Sequence, residues 1–231
     1  MKGIDTMETQ IKYNGSSPIL KVLLKHGEIL KAQTDSLIVA SAGIKIDAVC
    51  DGDSKESKRR IMAGESLNLQ QFYAENGDCS LILGPGDDAP VASLVELEVE
   101  EDNEICIYKG SYFAGTRDVI IDIQKVESVS KVENLSIKGR NGRDEGNIIG
   151  KLGGNGVVYL YGYGSIEQIT LDIDEEVIVD SNNILAWPSD MEVYIDCASD
   201  DKKEDQDIGE TQIYRMIGPG KILIQTGKRI L

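Results

Sequence analysis

The residues that could do chemistry are few. The chain has one histidine and four cysteines among 231 residues. His26 sits in "LKHGEI", a turn-like context between two apolar runs. A histidine zinc or iron centre needs several imidazole, thiolate or carboxylate ligands converging on one point, so a lone histidine reads as a solvated turn residue. Cys50, Cys79, Cys106 and Cys197 form no C-x-x-C pair, which argues against structural zinc and for free, buried thiols. The acidic clusters at 51–53 ("DGD") and 200–207 ("DDKKEDQD") lack the ligand spacing of a calcium loop and read as solvated acidic segments. Ser165, in "YGYGSIE", lacks the G-x-S-x-G elbow of an esterase nucleophile. "GPGK" at 218–221 runs into a strand-like segment, not into the helix that a phosphate-binding loop requires. No metal, cofactor or catalytic set is expected, and the chain reads as a protein that is not an enzyme.

The remaining candidates are binding residues. The formal net charge is −16, which repels nucleic acid unless bases gather on one face. They do gather in two polar segments, with Lys55, Lys58, Arg59 and Arg60 in one and Lys138, Arg140 and Arg143 in the other. Tyr159, Tyr161 and Tyr163 alternate along one run. Period two puts all three on one face of a strand, as a packing or interface stripe or as a stacking surface for bases. Lys58, Arg59, Arg60, Lys138, Arg140, Arg143 and the three tyrosines form the candidate binding surface. The apolar runs are about five residues long, against the roughly 20 that span a bilayer, so no membrane insertion is expected. The opening "MKGIDTMETQ" resembles neither a secretory leader nor a transit peptide, and the expected location is cytoplasmic.

The elements that must carry these residues are strands. "GDCSLILGPG" at 77–86, "GNGVVYLYGYG" at 154–164 and "GPGKILIQTG" at 218–227 each place an alternating apolar run between glycine turns. They end three look-alike units. Residues 93–123 align without a gap on 165–195: Leu97 falls on Ile169, Ile107 on Val179 and Ala114 on Ala186. Residues 27–48 align on 102–123. The column Asp35, Gly110 and Asn182 holds residue types that tolerate a left-handed backbone, and predicts hairpin turns. The fold class expected is all-β, a single domain of three tandem antiparallel repeats at about 18–92, 93–164 and 165–231, closed about a pseudo-threefold axis. Each repeat carries a polar insertion at the same place: 51–66, 124–147 and 198–210. Short helical turns are expected at 55–62 and 126–135. Trp187, before Pro188, reads as a core anchor at a strand end.

A set of short motifs follows in order: "MAGESLNLQQF" (62–72), "FAGT" (113–116), "YGYGSI" (161–166), "AWP" (186–188) and "GPGKILIQT" (218–226). The set resembles the "altered inheritance of mitochondria" family of mitochondrial biogenesis proteins, from about Ile11 to the end. The resemblance implies a β-sandwich or double-stranded β-helix like the tryptophan RNA-binding attenuation protein, repeated in tandem. It brings no catalytic residues. The chain departs from the family pattern in the long insertion at 124–147 and in Asp35, where glycine is common.

The function expected is non-catalytic: a binding or scaffolding protein with an unidentified protein or small-molecule partner, self-associating into a homo-oligomer through exposed sheet edges. The alternative is a binder of RNA or a small molecule at an interface between repeats, which the net charge disfavours for RNA. An enzyme using carboxylate or thiol chemistry ranks last.

Overall fold

The structure is a computed structural model that describes residues 7–49, 69–86, 91–125, 148–196 and 213–228. Every element named among them is a β-strand, and the fold is all-β and antiparallel. After β1 (Glu8–Lys12), eighteen strands follow in three runs of six. The first run is β2 (Ile19–Leu24), β3 (Ile29–Gln33), β4 (Leu37–Ala40), β5 (Ile44–Val49), β6 (Leu69–Ala74) and β7 (Cys79–Leu83). The second is β8 (Ala92–Val99), β9 (Ile105–Tyr108), β10 (Tyr112–Thr116), β11 (Val119–Lys125), β12 (Ile148–Gly154) and β13 (Gly156–Tyr163). The third is β14 (Ile166–Leu171), β15 (Glu176–Asp180), β16 (Ile184–Pro188), β17 (Glu192–Asp196), β18 (Ile213–Ile217) and β19 (Gly220–Gln225).

The pairing pattern is the same in each run. The first, sixth and third strands form one ladder: β2-β7-β4, β8-β13-β10, β14-β19-β16. The second, fifth and fourth form another: β3-β6-β5, β9-β12-β11, β15-β18-β17. Each run is thus split between two sheets. The runs are joined by sharing sheets: β3 pairs with β10, and β9 with β16. The result is a four-stranded sheet (β1-β2-β7-β4), two six-stranded sheets (β5-β6-β3-β10-β13-β8 and β11-β12-β9-β16-β19-β14) and a three-stranded sheet (β15-β18-β17).

Backbone hydrogen bonds repeat at matching positions as well. Gly84 donates to the Ser36 carbonyl at 2.8 Å, Tyr161 to that of Ser111 at 2.9 Å and Gln225 to that of Asn183 at 2.8 Å. The strand after each of these acceptors carries a bulge at the same step, between Leu37 and Val39, Tyr112 and Ala114, and Ile184 and Ala186. A bulge puts an extra residue on one strand and bends it, which re-aims the side chains around it.

The expected hairpins are corrected by this topology. Of the three column residues, Asp35 (φ 62°) and Gly110 (φ 78°) hold left-handed backbones and Asn182 does not. They do not turn hairpins, because β3 and β4 lie in different sheets, as do β9 and β10. The glycine-rich stretches before β7, β13 and β19 likewise carry the chain from one sheet to the next. Among the described residues, consecutive strands pair only at β1–β2 and at β5–β6, β11–β12 and β17–β18. The last three are the strand pairs on either side of the polar insertions, and each pair lies at the margin of its sheet. The helical turns expected at 55–62 and 126–135 fall outside the described residues.

Three apolar clusters lie between successive sheets. Leu20, Leu24, Leu81, Phe72 and Phe113 fill the first; Ile107, Tyr112, Val119, Leu152 and Leu185 the second; Leu171, Ile184, Trp187, Met216 and Ile222 the third. The six-stranded sheets contribute side chains to clusters on both faces, which is why β10 and β16 read as unbroken apolar runs with four buried residues in sequence. A closed threefold arrangement would need one more junction, β15 against β4. The pairings among the described residues contain none: β4 ends its sheet and β15 ends another.

Candidate functional site

The basic residues of the candidate surface, Lys58, Arg59, Arg60, Lys138, Arg140 and Arg143, lie outside the described residues. So do Cys50 and Cys197. The three tyrosines all lie on β13 and share one face, as period two requires. That face packs into the first apolar cluster: Tyr159 and Tyr161 are buried in it and Tyr163 rests against it. The Tyr161 and Tyr163 rings meet edge to face with centroids 5.9 Å apart. The Tyr159 hydroxyl donates to Thr9 Oγ1 at 2.9 Å, and Thr9 Oγ1 donates to Glu96 Oε2 at 3.1 Å. Burial raises the Tyr159 phenol above its ordinary range, with the Thr9 bond pulling the other way. A ring closed in by sheet packing has no free face for a base. Tyr159 and Tyr161 therefore leave the candidate surface, and the stripe is a packing device that also ties β1 to the sheet of β13.

The thiols behave as apolar groups. Cys79 and Cys106 are free and buried. Burial pushes the Cys106 thiol up to about 11, with Lys151 lowering it slightly and Glu104 raising it. A thiol held protonated is a poor nucleophile and a poor ligand. Among the described residues no three histidine, cysteine or carboxylate side chains converge to hold a metal ion. His26 is exposed in the turn between β2 and β3. Trp187 is buried in the third cluster, edge to face with Tyr214 at 5.8 Å.

Buried polar side chains instead serve the corners. Gln225 is 2% exposed. Its Oε1 accepts from the Tyr163 amide at 3.0 Å, and its Nε2 donates to the Asn182 carbonyl at 2.7 Å. Asn183 Nδ2 donates to the Gln225 carbonyl at 2.7 Å. This closed set clamps the β13–β14 corner to the β15–β16 turn. Lys31, also buried, donates from Nζ to the Val119 carbonyl at 2.7 Å, linking β3 of one six-stranded sheet to β11 of the other.

What sequence reasoning missed is at the outer edges of the sheets. Ile38 and Val39 on β4 and Ile178 on β15 are apolar, on strands, and more than half exposed. The one sequence signal for this is "LIVA" at 37–40, an uncharged strand without the lysine or proline that blunts an edge.

No helix of the described residues is long and apolar enough to cross a membrane. No curated protein sequence matches the chain. Among solved structures, the crystal structure of protein SPYM3_0169 from Streptococcus pyogenes is similar, with a TM-score of 0.71 at 21% identity, over 96% of this chain and 94% of that one. At that identity the likeness is one of fold. The family described as Mitochondrial biogenesis AIM24 matches residues 9–227, nearly the whole β-structure just described. The chain belongs to the Mitochondrial biogenesis AIM24 family.

Proposed function

We propose that the protein is a non-catalytic binding or scaffolding protein that acts through self-association. One observation carries the reading: the chain assembles its own parts by joining sheet edges, β3 to β10 and β9 to β16, and its outer sheets end in further edges of the same kind. A polypeptide that uses edge pairing as its internal joint has the chemistry to use it between molecules. Apolar side chains exposed on strands, Ile38, Val39 and Ile178, support the same reading.

Binding of RNA is the weaker reading, because the net charge is −16 and two of the three candidate stacking rings are buried. The test is light scattering across a concentration series from nanomolar to high micromolar, together with affinity capture from cell extract. A mass that rises above one chain supports self-association. A strict monomer that also recovers no partner sinks the scaffold reading.

A further inference from the structure

Matching positions in the three runs allow the burial of each junction strand to be compared. At the bulge, Phe113 and Leu185 are each 0% exposed, and the matching Ile38 is 60% exposed. At the next residue, Ala114 and Ala186 are 0% and 2% exposed, and Val39 is 53% exposed. On the facing strands, Lys31 and Cys106 are each 6% exposed, and the matching Ile178 is 59% exposed. The side chains are of one apolar class along β4, β10 and β16. They differ in what covers them: Phe113 and Leu185 pack in the first and second clusters between sheets, β10 has β3 beside it and β16 has β9, and β4 has no corresponding strand and Ile38 no corresponding cluster among the described residues. On the other side, β3 and β9 each pair with a strand of the next run, and β15 has no corresponding neighbour among the described residues.

The two open strands are thus the two halves of a joint that the chain already makes twice. We propose that β15 of one copy pairs antiparallel with β4 of a second copy, head to tail, in the register of the internal junctions. That register is fixed by the pairs Ala32–Ala114 with Lys31–Gly115, and Ile107–Ala186 with Cys106–Trp187. Carried to the open strands, it sets Val179 opposite Val39, Ile178 opposite Ala40 and Val177 opposite Ser41. The contact is apolar at its centre. The carboxylates that bracket it on β15 each have a cation, Glu176 with Arg215 at 2.6 Å and Asp180 with Lys228 at 2.5 Å. Neither end therefore brings an unpaired charge to the joint. A second copy is the occupant because the described residues of one chain leave both edges unpaired, with Ile38, Val39 and Ile178 exposed and Val179 packed in the third cluster, while each edge is the structural complement of the other. A joint between unlike surfaces repeats from copy to copy, so it builds a ring or an open chain of copies, not a twofold dimer.

This inference rests on the self-association reading and names its interface. Its test is site-specific cross-linking of the full chain in a background carrying Cys50→Ser and Cys197→Ser, which leaves the two buried thiols. Val39→Cys and Val179→Cys variants are prepared separately, and opposed strand positions lie within disulfide reach. The expected result is a covalent dimer on mixing the two under mild oxidation and a ladder of multimers from the double variant. Ile38→Lys, at an exposed position that leaves the core intact, is expected to weaken association by about tenfold or more, because a charge must then be buried in the joint. A double variant that cross-links only within its own chain overturns the proposal. So does a protein that multimerises by light scattering without cross-linking at this register and without response to Ile38→Lys, and in that case self-association survives and only the interface fails. A strict monomer at high micromolar concentration overturns both.

Discussion

The Ser111 hydroxyl donates a 2.7 Å hydrogen bond to the carbonyl of Tyr108, closing the turn that carries the chain from β9 to β10. Ser36 does the same to Gln33 at 2.7 Å between β3 and β4. Both serines are 2% exposed. In the third run Asn183 takes this position and bonds to Gln225 from the far side of the same turn. The corner, more than any apolar position, is where three divergent runs keep the same local design.

Ser111→Ala should therefore cost about 1–2 kcal/mol, since it leaves a buried carbonyl with one partner fewer. Ser36→Ala should cost a similar amount, and the double variant should lose the sum, because the two turns share no partners. Urea unfolding checks this: the midpoints should fall with the slope unchanged.

Lys31→Ala should be more damaging, at roughly 2–3 kcal/mol, because a buried charged donor to the Val119 carbonyl is lost from between the two six-stranded sheets. Lys31→Met keeps the stem that packs there and should recover part of the loss. Equal destabilisation by the two variants would show that the ammonium, and not the stem, is what matters.

Trp187 is the chain's one tryptophan and lies in the third cluster against Tyr214. Its emission should be blue-shifted in the folded protein and should report loss of that cluster directly. Trp187→Ala should cost about 3–5 kcal/mol by leaving a cavity, and Trp187→Phe distinctly less. Thermal melts of the two variants give the comparison.

Cys106 gives the protein an alkaline limit. The folded state holds the thiol protonated up to about 11, against an ordinary 9.0. Between those values the folded chain binds more protons than the unfolded one, so stability falls as pH rises through that window and levels off above it. The loss amounts to ~3 kcal/mol. The buried phenols of Tyr159 and Tyr214, also raised by burial first from an ordinary 10.0, add their own decline from about that pH upward, overlapping the upper part of the thiol's window. Cys106→Val should remove the thiol's share. Denaturant midpoints from pH 8 to 11 test it, and a flat profile in the parent protein would refute the assignment.

Much of the strand layout was legible in the sequence because period-two alternation and turn residues are local signals. The alignment of 93–123 on 165–195 pairs β9 with β15, β10 with β16 and β11 with β17. β1 was not anticipated, since it precedes the alignable segments. The sheet assignment was not legible either. Asp35 and Gly110 announce a left-handed turn, but a turn of that conformation can join two strands of one sheet or lead from one sheet to another. The difference is decided by β6 and β7 arriving much later in the chain. The tyrosine stripe was legible as a stripe; its burial depends on β1 and β2 covering it, which no residue of β13 encodes. The exposed edges were hidden for the same reason: Ile38, Phe113 and Leu185 are chemically alike, and a neighbouring strand, not side-chain type, separates them.

The sharing of sheets also determines how the molecule comes apart. The middle run owns no sheet: β8, β13 and β10 share a sheet with strands of the first run through the β10–β3 pair, and β11, β12 and β9 share one with strands of the third through the β9–β16 pair. Cooperative units of opening must then follow sheets and cut across the sequence repeats, so amide-exchange protection should rise and fall in blocks that join β3 and β6 to β10 and β13. A segment cut out at the repeat boundaries would carry away half of two sheets and the whole of neither.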